Sequence, residues 1–503
     1  MSTGHIAIDL GASGGRAMLA VLGGKPLAVE LHEAHRFDHE PLDTPAGPVW
    51  DLTSIWREAL QGIRCAVTLA AEHGVELRSL GVDTWAVDWT LVDPVGELLG
   101  LPHAYRDPAH AAAREIVLDR IESGAVGLYA RTGIQPQPFN TLFQIEARRA
   151  SSPGLFSVEG TTLLMLPDLL HFWLTGKRGV ERTNASSTSM LAADTGEWDT
   201  ELLESLGLPM APVQSLIEPG TPLGPVRSEL AASRGLSDDV SVVAPATHDT
   251  ASAVAAVPTV DETMPWAYLS SGTWSLLGVE LDRPNTTAAA LEAGFTNERG
   301  VGDKVRFLRN IAGLWLVQEL RRDLARQGEL HDYAQLAALA AEAEPLRTLV
   351  DPNVAELAAP GDSVAKLQRL AKANAQPIPE TPGQLARCCF DSLASSYAET
   401  VELINSLADT TLRTLYLVGG GVNNRLLNQL TADATGLEVR LGPSEATALG
   451  NALVQAMGLG LIDSVESLRK IVASSAPVEV VHPRPGETDW TDARKRFKTI
   501  TNR

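Results

Sequence analysis

The chain has 503 residues, of which 44% are hydrophobic and 20% are charged, and its formal net charge at pH 7 is -21. This is the composition of an ordinary globular protein, and the length predicts at least two domains with large cores. DNA, RNA and anionic membrane surfaces are bound through clustered Lys and Arg, so the acidic excess disfavours all three as partners.

The cysteines and the N-terminus both indicate a cytoplasmic protein. Cys388 and Cys389 are adjacent and poorly placed for an unstrained bridge, and together with Cys65 they form no metal-ligand spacing. This usage fits a reducing cytosol, and we expect the adjacent pair to serve packing. No basic segment precedes the first predicted strand, so we predict no signal peptide. The uncharged stretch 446–462 contains glycines and amides, which predicts a buried helix rather than a membrane span.

The first predicted elements are three strands joined by tight turns. An apolar run at 6–10 is followed by the turn Gly11-Ala-Ser-Gly-Gly-Arg16 and by apolar strands at 18–22 and 27–31. The turn has neither the glycine spacing of a dinucleotide-binding loop nor the lysine of a Walker loop. Its glycines can still let backbone N–H groups converge on an anion, and Asp9 can hold a hydrated divalent cation. A phosphate site and an ordinary hairpin with an Asx turn explain these residues equally well.

The rest of the first half alternates helices and strands. Apolar residues at helical spacing predict an amphipathic helix over 51–74, and residues 79–93 predict buried strands interrupted by Asp83 and Asp88. Burying two carboxylates in a strand is unfavourable unless they are paired or have a function, so these residues need an explanation. The alternation itself predicts an α/β layer structure.

The second half repeats the pattern of the first. A stretch rich in Pro, Gly and Ser at 219–235 marks the boundary, and we predict domains over residues 1–243 and 244–503. Residues 266–278 are again an apolar strand, a small polar turn and an apolar strand. A later strand runs into three glycines at 419–421 and then into a helix, as in a ligand-binding loop. The two similar hairpins indicate a duplicated fold.

A candidate catalytic carboxylate follows the strand that ends at Val243. Asp249 opens a helix of small residues, so it is predicted to lie at a domain edge near a helix N-terminus. A carboxylate in that place can take the proton of a hydroxyl that attacks a γ-phosphate. The alternatives are that Asp249 is an N-cap and that His248 beside it is a packing or hydrogen-bonding residue.

A candidate sugar pocket lies in the segment 81–88. Polar residues flank Trp85 there, and hydrogen-bonding groups beside an aromatic plane are what sugar pockets use. A core tryptophan with satisfied carboxylates is an equally good interpretation of the same residues. Phe139 and Asn140, in a proline-rich loop, could line the same pocket, although a simple loop explains them better.

These residues together resemble the FGGY family of carbohydrate kinases over nearly the whole chain. The matching motifs are Ala7-Ile-Asp-Leu-Gly-Ala-Ser, Gly81-Val-Asp-Thr-Trp, Leu101-Pro-His-Ala-Tyr-Arg-Asp, Gly133-Ile-Gln, Pro138-Phe-Asn-Thr-Leu, Thr183-Asn-Ala, His248-Asp-Thr-Ala-Ser-Ala, Leu269-Ser-Ser-Gly-Thr-Trp-Ser, Asn310-Ile-Ala-Gly-Leu-Trp and Val418-Gly-Gly-Gly. The resemblance implies an actin-like, ribonuclease H-like duplicated α/β fold of two domains with an interdomain cleft. Within the family, the chain most resembles the members that phosphorylate L-rhamnulose on its 1-hydroxyl with MgATP. That reaction gives L-rhamnulose 1-phosphate and ADP in L-rhamnose catabolism.

The resemblance also assigns roles to single residues. Asp249 matches the proton acceptor, and we expect Asp9 to orient Mg²⁺ through water. The positions that match ATP contacts of the family are Ala12, Ser13, Gly14, Gly15, Arg16, Thr273, Gln318 and Gly420. The positions that match sugar contacts are Ala86, His248, Asp249, Thr250 and Asn310.

The chain departs from the family pattern at two of these positions. Gly14 stands where the pattern has serine, which keeps the backbone donors, and Ala86 stands where it has glycine, which adds a methyl group at a sugar contact. The alternatives are therefore a family member acting on another ketose or polyol, such as xylulose or fuculose, and an actin-like ATPase without a sugar substrate. We expect a monomer or a homodimer that binds a small ketose and MgATP.

Overall fold

The computed structural model describes residues 2–208, 215–259, 264–484, 486 and 489–501. The chain divides into two compact units. The first unit comprises Met1–Val260, Glu280–Phe307 and Ala446–Pro477, and the second comprises Asp261–Val279, Leu308–Glu445 and Val478–Arg503. These units are not two continuous halves, because two later segments pack with the first unit. The domain boundary between residues 243 and 244 stays a prediction.

Strands and helices alternate along most of the chain. The strands are β1 (Thr3–Gly11), β2 (Gly14–Gly23), β3 (Ala28–Asp38), β4 (Pro41–Thr44), β5 (Gly47–Trp50), β6 (Glu76–Thr84), β7 (Trp89–Val92), β8 (Thr162–Met165), β9 (Val180–Glu181), β10 (Leu216–Ile217), β11 (Thr221–Pro225), β12 (Ser241–Ala244), β13 (Trp266–Ser271), β14 (Ser275–Leu281), β15 (Phe295–Arg299), β16 (Val305–Ile311), β17 (Thr414–Val418), β18 (Glu438–Leu441) and β19 (Glu479–Val481).

The helices include the predicted elements over 51–74 and 446–462. The α-helices are α1 (Leu52–Glu72), α2 (Ala109–Arg120), α3 (Gly124–Thr132), α4 (Thr141–Ser151), α5 (Leu166–Thr175), α6 (Arg182–Ala185), α7 (Thr200–Ser205), α8 (Ser228–Arg234), α9 (Asp249–Ala255), α10 (Ala288–Glu292), α11 (Trp315–Arg326), α12 (Tyr333–Glu342), α13 (Ala355–Ala358), α14 (Ser363–Ala373), α15 (Pro382–Leu407), α16 (Arg425–Thr435), α17 (Ala446–Gly458), α18 (Val465–Ser475) and α19 (Trp490–Thr501). Short 3₁₀ helices span Pro153–Ser157, Ser186–Thr188 and Gly420–Asn423.

The two large sheets share one strand arrangement. In the first sheet the order is β11-β12-β6-β1-β2-β3, where β1 runs antiparallel to β2 and parallel to β6. In the second sheet the order is β15-β16-β14-β13-β17-β18-β19, where β13 runs antiparallel to β14 and parallel to β17. The outer strands agree as well, since β12 is antiparallel to β11 and β18 is antiparallel to β19. The predicted duplicated α/β fold is therefore confirmed.

Local sequence signals account for the long helices. Asp51 caps α1 by accepting the N–H of Ser54 at 3.0 Å, and Thr381 and Gln384 form a reciprocal capping box at the start of α15. Cys388 and Cys389 lie in the buried part of α15, where burial raises the pKa of both thiols. Across the described part of the chain, no helix combines the length and the apolar character needed to cross a membrane.

Helix α17 packs closely against α9, the helix that Asp249 begins. A methyl group placed on Gly450 would overlap the backbone carbonyl of Ser252. Because a helix interior gives glycine no other advantage, this contact explains why the residue is glycine. The position of α9 thus depends on a glycine in a helix that follows it by almost 200 residues.

We predict that Gly450→Ala lowers the free energy of unfolding by about 3 kcal/mol, at the upper end of overpacking costs. The added methyl group would force α17 and α9 apart. Gly154→Ala is the matched control, because no atom lies within 4 Å of its added methyl group. Urea denaturation measures both, and equal stabilities of the two variants would contradict the packing argument.

Candidate active site

The first hairpin turns at Ala12 and Ser13, between the paired residues Gly11 and Gly14. Ser13 is exposed at the tip, and the glycines on either side do not have positive φ. Gly14 and Gly15 are small for a different reason. A methyl group on Gly15 would lie 2.5 Å from the ring of Phe37. A methyl group on Gly14 would lie 2.9 Å from the backbone carbonyl oxygen of Phe37. The close approach of β3 therefore requires both glycines.

Asp9 and Arg16 face each other across this hairpin. They are direct partners in the β1–β2 register, and Nε and Nη2 of Arg16 donate to Oδ2 of Asp9 at 2.8 and 2.7 Å. Asp9 is 2% exposed and Arg16 26% exposed. The residue predicted to hold the cation and the one predicted to contact phosphate are thus ion-paired with each other.

The ends of two parallel strands and the start of α9 lie side by side. Asp9 of β1 is aligned with Asp83 of β6, and the next residue of β6, Thr84, donates its N–H to the carbonyl of Thr247 at 2.9 Å. Thr84 also forms a parallel bridge with His248, the residue before Asp249. This alignment brings the buried carboxylates of β1 and β6 close to the partly exposed carboxylate of α9, within the first unit.

The proximity of these carboxylates changes their ionisation. Burial and then the negative charge of Asp9 raise the pKa of Asp249 to about 7. The same two causes, burial first, raise the pKa of Asp83 well above its ordinary value. Hydrogen bonds act in the opposite direction, because Thr250 donates both its N–H and its hydroxyl to Oδ1 of Asp249. Like charges that are close together and poorly solvated resist being ionised together, so this group of carboxylates favours holding a proton.

Asp249 is the first residue of α9, and His248 is its N-cap residue. The alternative interpretation of Asp249 as the N-cap is therefore wrong by one position. His248 is 4% exposed. Burial and then the neighbouring Arg306 keep the pKa of His248 well below its ordinary value, so the imidazole is neutral near pH 7.

The predicted sugar-contacting residue Ala86 lies in a tight turn after β6. Trp85 and Asp88 on either side are 5% and 1% exposed. Asp88 accepts the indole N–H groups of Trp85 at 2.8 Å and of Trp50 at 2.6 Å. Trp85 is therefore a core tryptophan with Asp88 satisfied, whereas Oδ1 of Asp83 has no hydrogen-bond partner, so the interpretation with satisfied carboxylates is confirmed only in part. Ala86 is half-buried, and its contact with a sugar stays a prediction.

The second unit brings together the other predicted nucleotide contacts. Gln318 of α11 donates to the hydroxyl of Thr273 at 3.4 Å, and the N–H of Trp315 donates to the carbonyl of Thr273 at 3.0 Å. At the end of β13, a methyl group on Gly419 would lie 3.0 Å from the carbonyl oxygen of Ser271, whereas one on Gly420 would meet no atom within 4 Å. The hairpin tip, the start of α11 and the open Gly420 backbone thus surround the end of β13.

The last predicted sugar contact, Asn310, is half-buried and lies in the part of β16 that is assigned to the second unit, since the unit boundary falls within this strand after Phe307. It is therefore assigned to a different unit from Ala86, His248, Asp249 and Thr250. The structure groups the predicted residues into these two sets.

Sequence reasoning missed two buried amides beside the acidic group, Asn451, which contacts Asp83, and Gln455, which contacts Asn451. Asn451 donates its amide to Oδ2 of Asp83, and Gln455 donates to the carbonyl of Ile6 at 3.0 Å. Both belong to α17 and are 0% exposed. The signal in the sequence was a pair of amides four residues apart in an otherwise apolar helix.

A divalent cation is compatible with this group of carboxylates. Oδ1 of Asp83 is buried without a hydrogen-bond partner, and carboxylate oxygens are the ligands that Mg²⁺ prefers. Within the described residues, no three His, Cys, Asp or Glu side chains form a set that could hold an ion. A Mg²⁺ ion here would thus rely on water and phosphate oxygens for most of its ligands, as it does in most nucleotide sites.

We predict that Asp83→Asn raises the free energy of unfolding at pH 8, because the neutral amide removes a carboxylate whose ionisation is opposed by burial and by neighbouring negative charge. The pKa of Asp83 is raised in the folded state, so the folded state binds more protons than the unfolded state and loses stability as the pH rises from 5 to 8. The free energy of unfolding of the variant should fall less between pH 5 and pH 8 than that of the wild type. Urea denaturation at both pH values measures it, and Asp239→Asn, at an exposed position, is the control.

Comparison with known proteins places these features in a family. A model described as the FGGY family of carbohydrate kinases, N-terminal domain, matches residues 5–256, and the model of the C-terminal domain matches residues 267–459. The chain is 40% identical to a rhamnulokinase of Oceanobacillus iheyensis over 94% of this chain and 96% of that protein. It is 38% identical to a rhamnulokinase of Bacteroides thetaiotaomicron over 99% of each chain.

Solved structures agree on the fold. A gluconate kinase from Lactobacillus acidophilus superposes with a TM-score of 0.80 at 16% identity, covering 100% of this chain and 97% of that one. A glycerol kinase from Plasmodium falciparum with ADP superposes with a TM-score of 0.79 at 16% identity, covering 100% and 98%. With both domain models and the curated relatives matched along nearly the whole length, the chain belongs to the FGGY family of carbohydrate kinases.

Proposed function

We propose that this kinase phosphorylates the 1-hydroxyl of L-rhamnulose with ATP, giving L-rhamnulose 1-phosphate and ADP in L-rhamnose catabolism. The curated relatives named rhamnulokinase, at 38% to 40% identity over nearly the full chain, support this choice of sugar. The observation that carries the chemistry is Asp249, a carboxylate at the first position of α9 that is 28% exposed and whose pKa is raised to about 7. A cytoplasmic location and a monomer or homodimer complete the proposal.

Asp249 acts as the general base. A base works best when its pKa lies near the working pH, because a substantial fraction is then ionised and the ionised form still binds a proton well. The carboxylate takes the proton of the 1-hydroxyl as the hydroxyl oxygen forms its bond to the γ-phosphorus. The bond between that phosphorus and the bridging oxygen of the β-phosphate breaks, and ADP leaves with the electron pair.

The remaining predicted residues position the two substrates. Backbone N–H groups of the turn from Ala12 to Arg16, with Thr273, Gln318 and Gly420, contact ATP, and the hydroxyl of Thr250 and the side chain of Asn310 contact the sugar. Asp9 is the carboxylate that would hold Mg²⁺, which when bound neutralises charge on the phosphates.

Ala86 favours a second candidate, a kinase of the same family that acts on a different ketose. The methyl group of this half-buried residue takes space at a position where the family pattern has glycine. One added methyl group in a pocket changes discrimination between substrates by about 10- to 200-fold. L-fuculose and xylulose are therefore the alternative substrates whose kcat/KM is compared with that of L-rhamnulose.

We predict that L-rhamnulose stimulates ADP release more than L-fuculose or xylulose does, measured as kcat/KM in a coupled assay with MgATP. The rate of ADP release with a ketose, compared with the rate when no ketose is added, tests whether the protein has a sugar substrate. ATP turnover unaffected by any ketose would indicate an actin-like ATPase, and a higher kcat/KM for another ketose would replace L-rhamnulose as the substrate.

We predict that Asp249→Asn lowers kcat by about 100- to 10,000-fold, the range that a general base contributes. The variant should bind ATP with the affinity of the wild type, measured by calorimetry, because the amide keeps the size of the side chain but cannot accept the proton. A kcat close to that of the wild type would rule out Asp249 as the base.

We predict that kcat/KM falls as the pH drops below about 7, because protonated Asp249 cannot accept the hydroxyl proton. Thr250→Val removes a hydrogen bond that lowers this pKa, so the acidic limb of the pH profile should move to higher pH. Thr250→Ser keeps the hydroxyl and should leave the limb in place. A limb that does not move in the valine variant would show that Asp249 does not control it.

A further inference from the structure

A fully buried arginine contacts His248 on the side away from Asp249. Arg306 lies in β16 and is 0% exposed. Its Nη2 lies 3.0 Å from Nδ1 of His248 and 3.0 Å from Oε2 of Glu298, and its Nε donates to the carbonyl of Arg299 at 3.1 Å. All four residues belong to the first unit. The role predicted for His248, a sugar contact, does not by itself explain why a guanidinium is buried against its ring.

The contact with Arg306 determines which ring nitrogen of His248 carries the proton. A guanidinium has five N–H donors, has no acceptor and stays protonated at all accessible pH values. An N–H directed at Nδ1 from 3.0 Å therefore requires a lone pair on Nδ1. The hydrogen of the neutral ring must then be on Nε2, which lies on the opposite edge of the ring.

The charged groups around the ring reinforce this assignment. Glu298 of β15 lies 3.4 Å from Nδ1, and Asp249 of α9 lies 3.5 Å from Nε2. Glu298 alone would attract a proton to Nδ1, but Arg306 lies closer to that nitrogen and neutralises the carboxylate. On the β6 and α6 sides the backbone of His248, rather than its ring, makes the contacts, to the backbone of Thr84 and to the hydroxyl of Thr183, and both groups are uncharged.

We propose that Arg306 is a positioning residue that holds His248 as the neutral Nε2–H tautomer, so that the imidazole donates a hydrogen bond to the acceptor sugar and does not act as an acid or base. The inference rests on the proposed function for the identity of the sugar. It does not depend on that function for the tautomer itself.

The geometry indicates which sugar oxygen the donor serves. Nε2 and Oδ1 of Asp249 are 3.5 Å apart, which is longer than an ordinary N–H···O hydrogen bond, so the N–H can be given to a substrate atom beside the carboxylate. Asp249 faces the reacting 1-hydroxyl. The nearest other oxygen of any ketose is on the adjacent carbon, C2. A hydrogen bond from His248 to that oxygen would fix the rotation of the CH₂OH group toward Asp249.

The tautomer can be measured directly by nitrogen NMR of protein labelled with ¹⁵N-histidine, without ketose. The chain has 11 histidines, and the spectrum of His248→Gln identifies the signals of this one. We expect an unprotonated Nδ1 and a protonated Nε2 from pH 6 to pH 8. A protonated Nδ1, or a ring that gains a second proton in this range, would overturn the proposal.

Arg306→Met tests the cause. Without the guanidinium, Glu298 should attract the proton to Nδ1, which leaves a lone pair at Nε2 facing Asp249. We expect the NMR signals to report this exchange, and KM for the ketose to rise about tenfold, the loss of one ordinary hydrogen bond, with KM for ATP unchanged. An unchanged tautomer in the folded variant would contradict the role of Arg306.

Two further variants separate this effect from loss of folding. Arg387→Met removes another buried arginine, paired with Asp391 in α15 of the second unit, and should change stability without changing the tautomer or the KM for ketose. His248→Gln keeps an N–H donor near the position of Nε2 and should retain more ketose affinity than His248→Leu. If the wild type does not phosphorylate L-rhamnulose, the proposed function fails, while the NMR result still decides the tautomer.

Discussion

The acidic group of Asp9, Asp83 and Asp249 is the constraint on which the rest of the site depends. Carboxylates near the ends of β1 and β6 and at the start of α9 repel one another where little water can screen them. Each carboxylate accepts from a different donor: Arg16 donates to Asp9, Asn451 to Asp83 and Thr250 to Asp249. Desolvation first, and then the negative charge of Asp9, raise the pKa of Asp249 into the range where a carboxylate can accept a proton reversibly.

The need to satisfy buried polar groups then determines which helix can cover this sheet. Gln455 of α17 accepts from the hydroxyl of Ser79 at 2.6 Å and donates to Asn451, which donates to Asp83. His5 joins the same chain through Ser79 at 2.7 Å. An apolar helix in this place would leave these groups without partners, at a cost of about 1 to 3 kcal/mol each. Gly81 permits the contact, because a methyl group there would lie 2.8 Å from the Gln455 amide nitrogen.

Local patterns were enough to predict the hairpins, the helix over 51–74 and the duplicated fold, because periodicity and turn residues act between near neighbours in the chain. The site was predicted less completely. The sequence shows no packing reason for the glycines at 14 and 15, which the structure supplies: the ring of Phe37 lies against Gly15 and the backbone carbonyl of Phe37 against Gly14, while their approach to an anion stays a prediction. Trp85 had two equal interpretations because its indole partner, Asp88, is also bonded to a tryptophan 38 positions away. The amides of α17 were missed because their partners lie more than 360 residues earlier.

The two sheets differ in charge beside their central hairpins, although they share one strand arrangement. Asp9 is aligned with Asp83 on one side and with Arg16 on the other. In the second sheet the corresponding strand has Ser270, aligned with Val418 and Leu276. The same backbone arrangement therefore carries three charged side chains in one copy and none in the other. A hydroxyl attack on a phosphate needs a proton acceptor on one side only, whereas a second set of carboxylates would repel the phosphates. The neutral copy retains what a nucleotide uses: backbone N–H groups, the hydroxyl of a turn and an open glycine backbone.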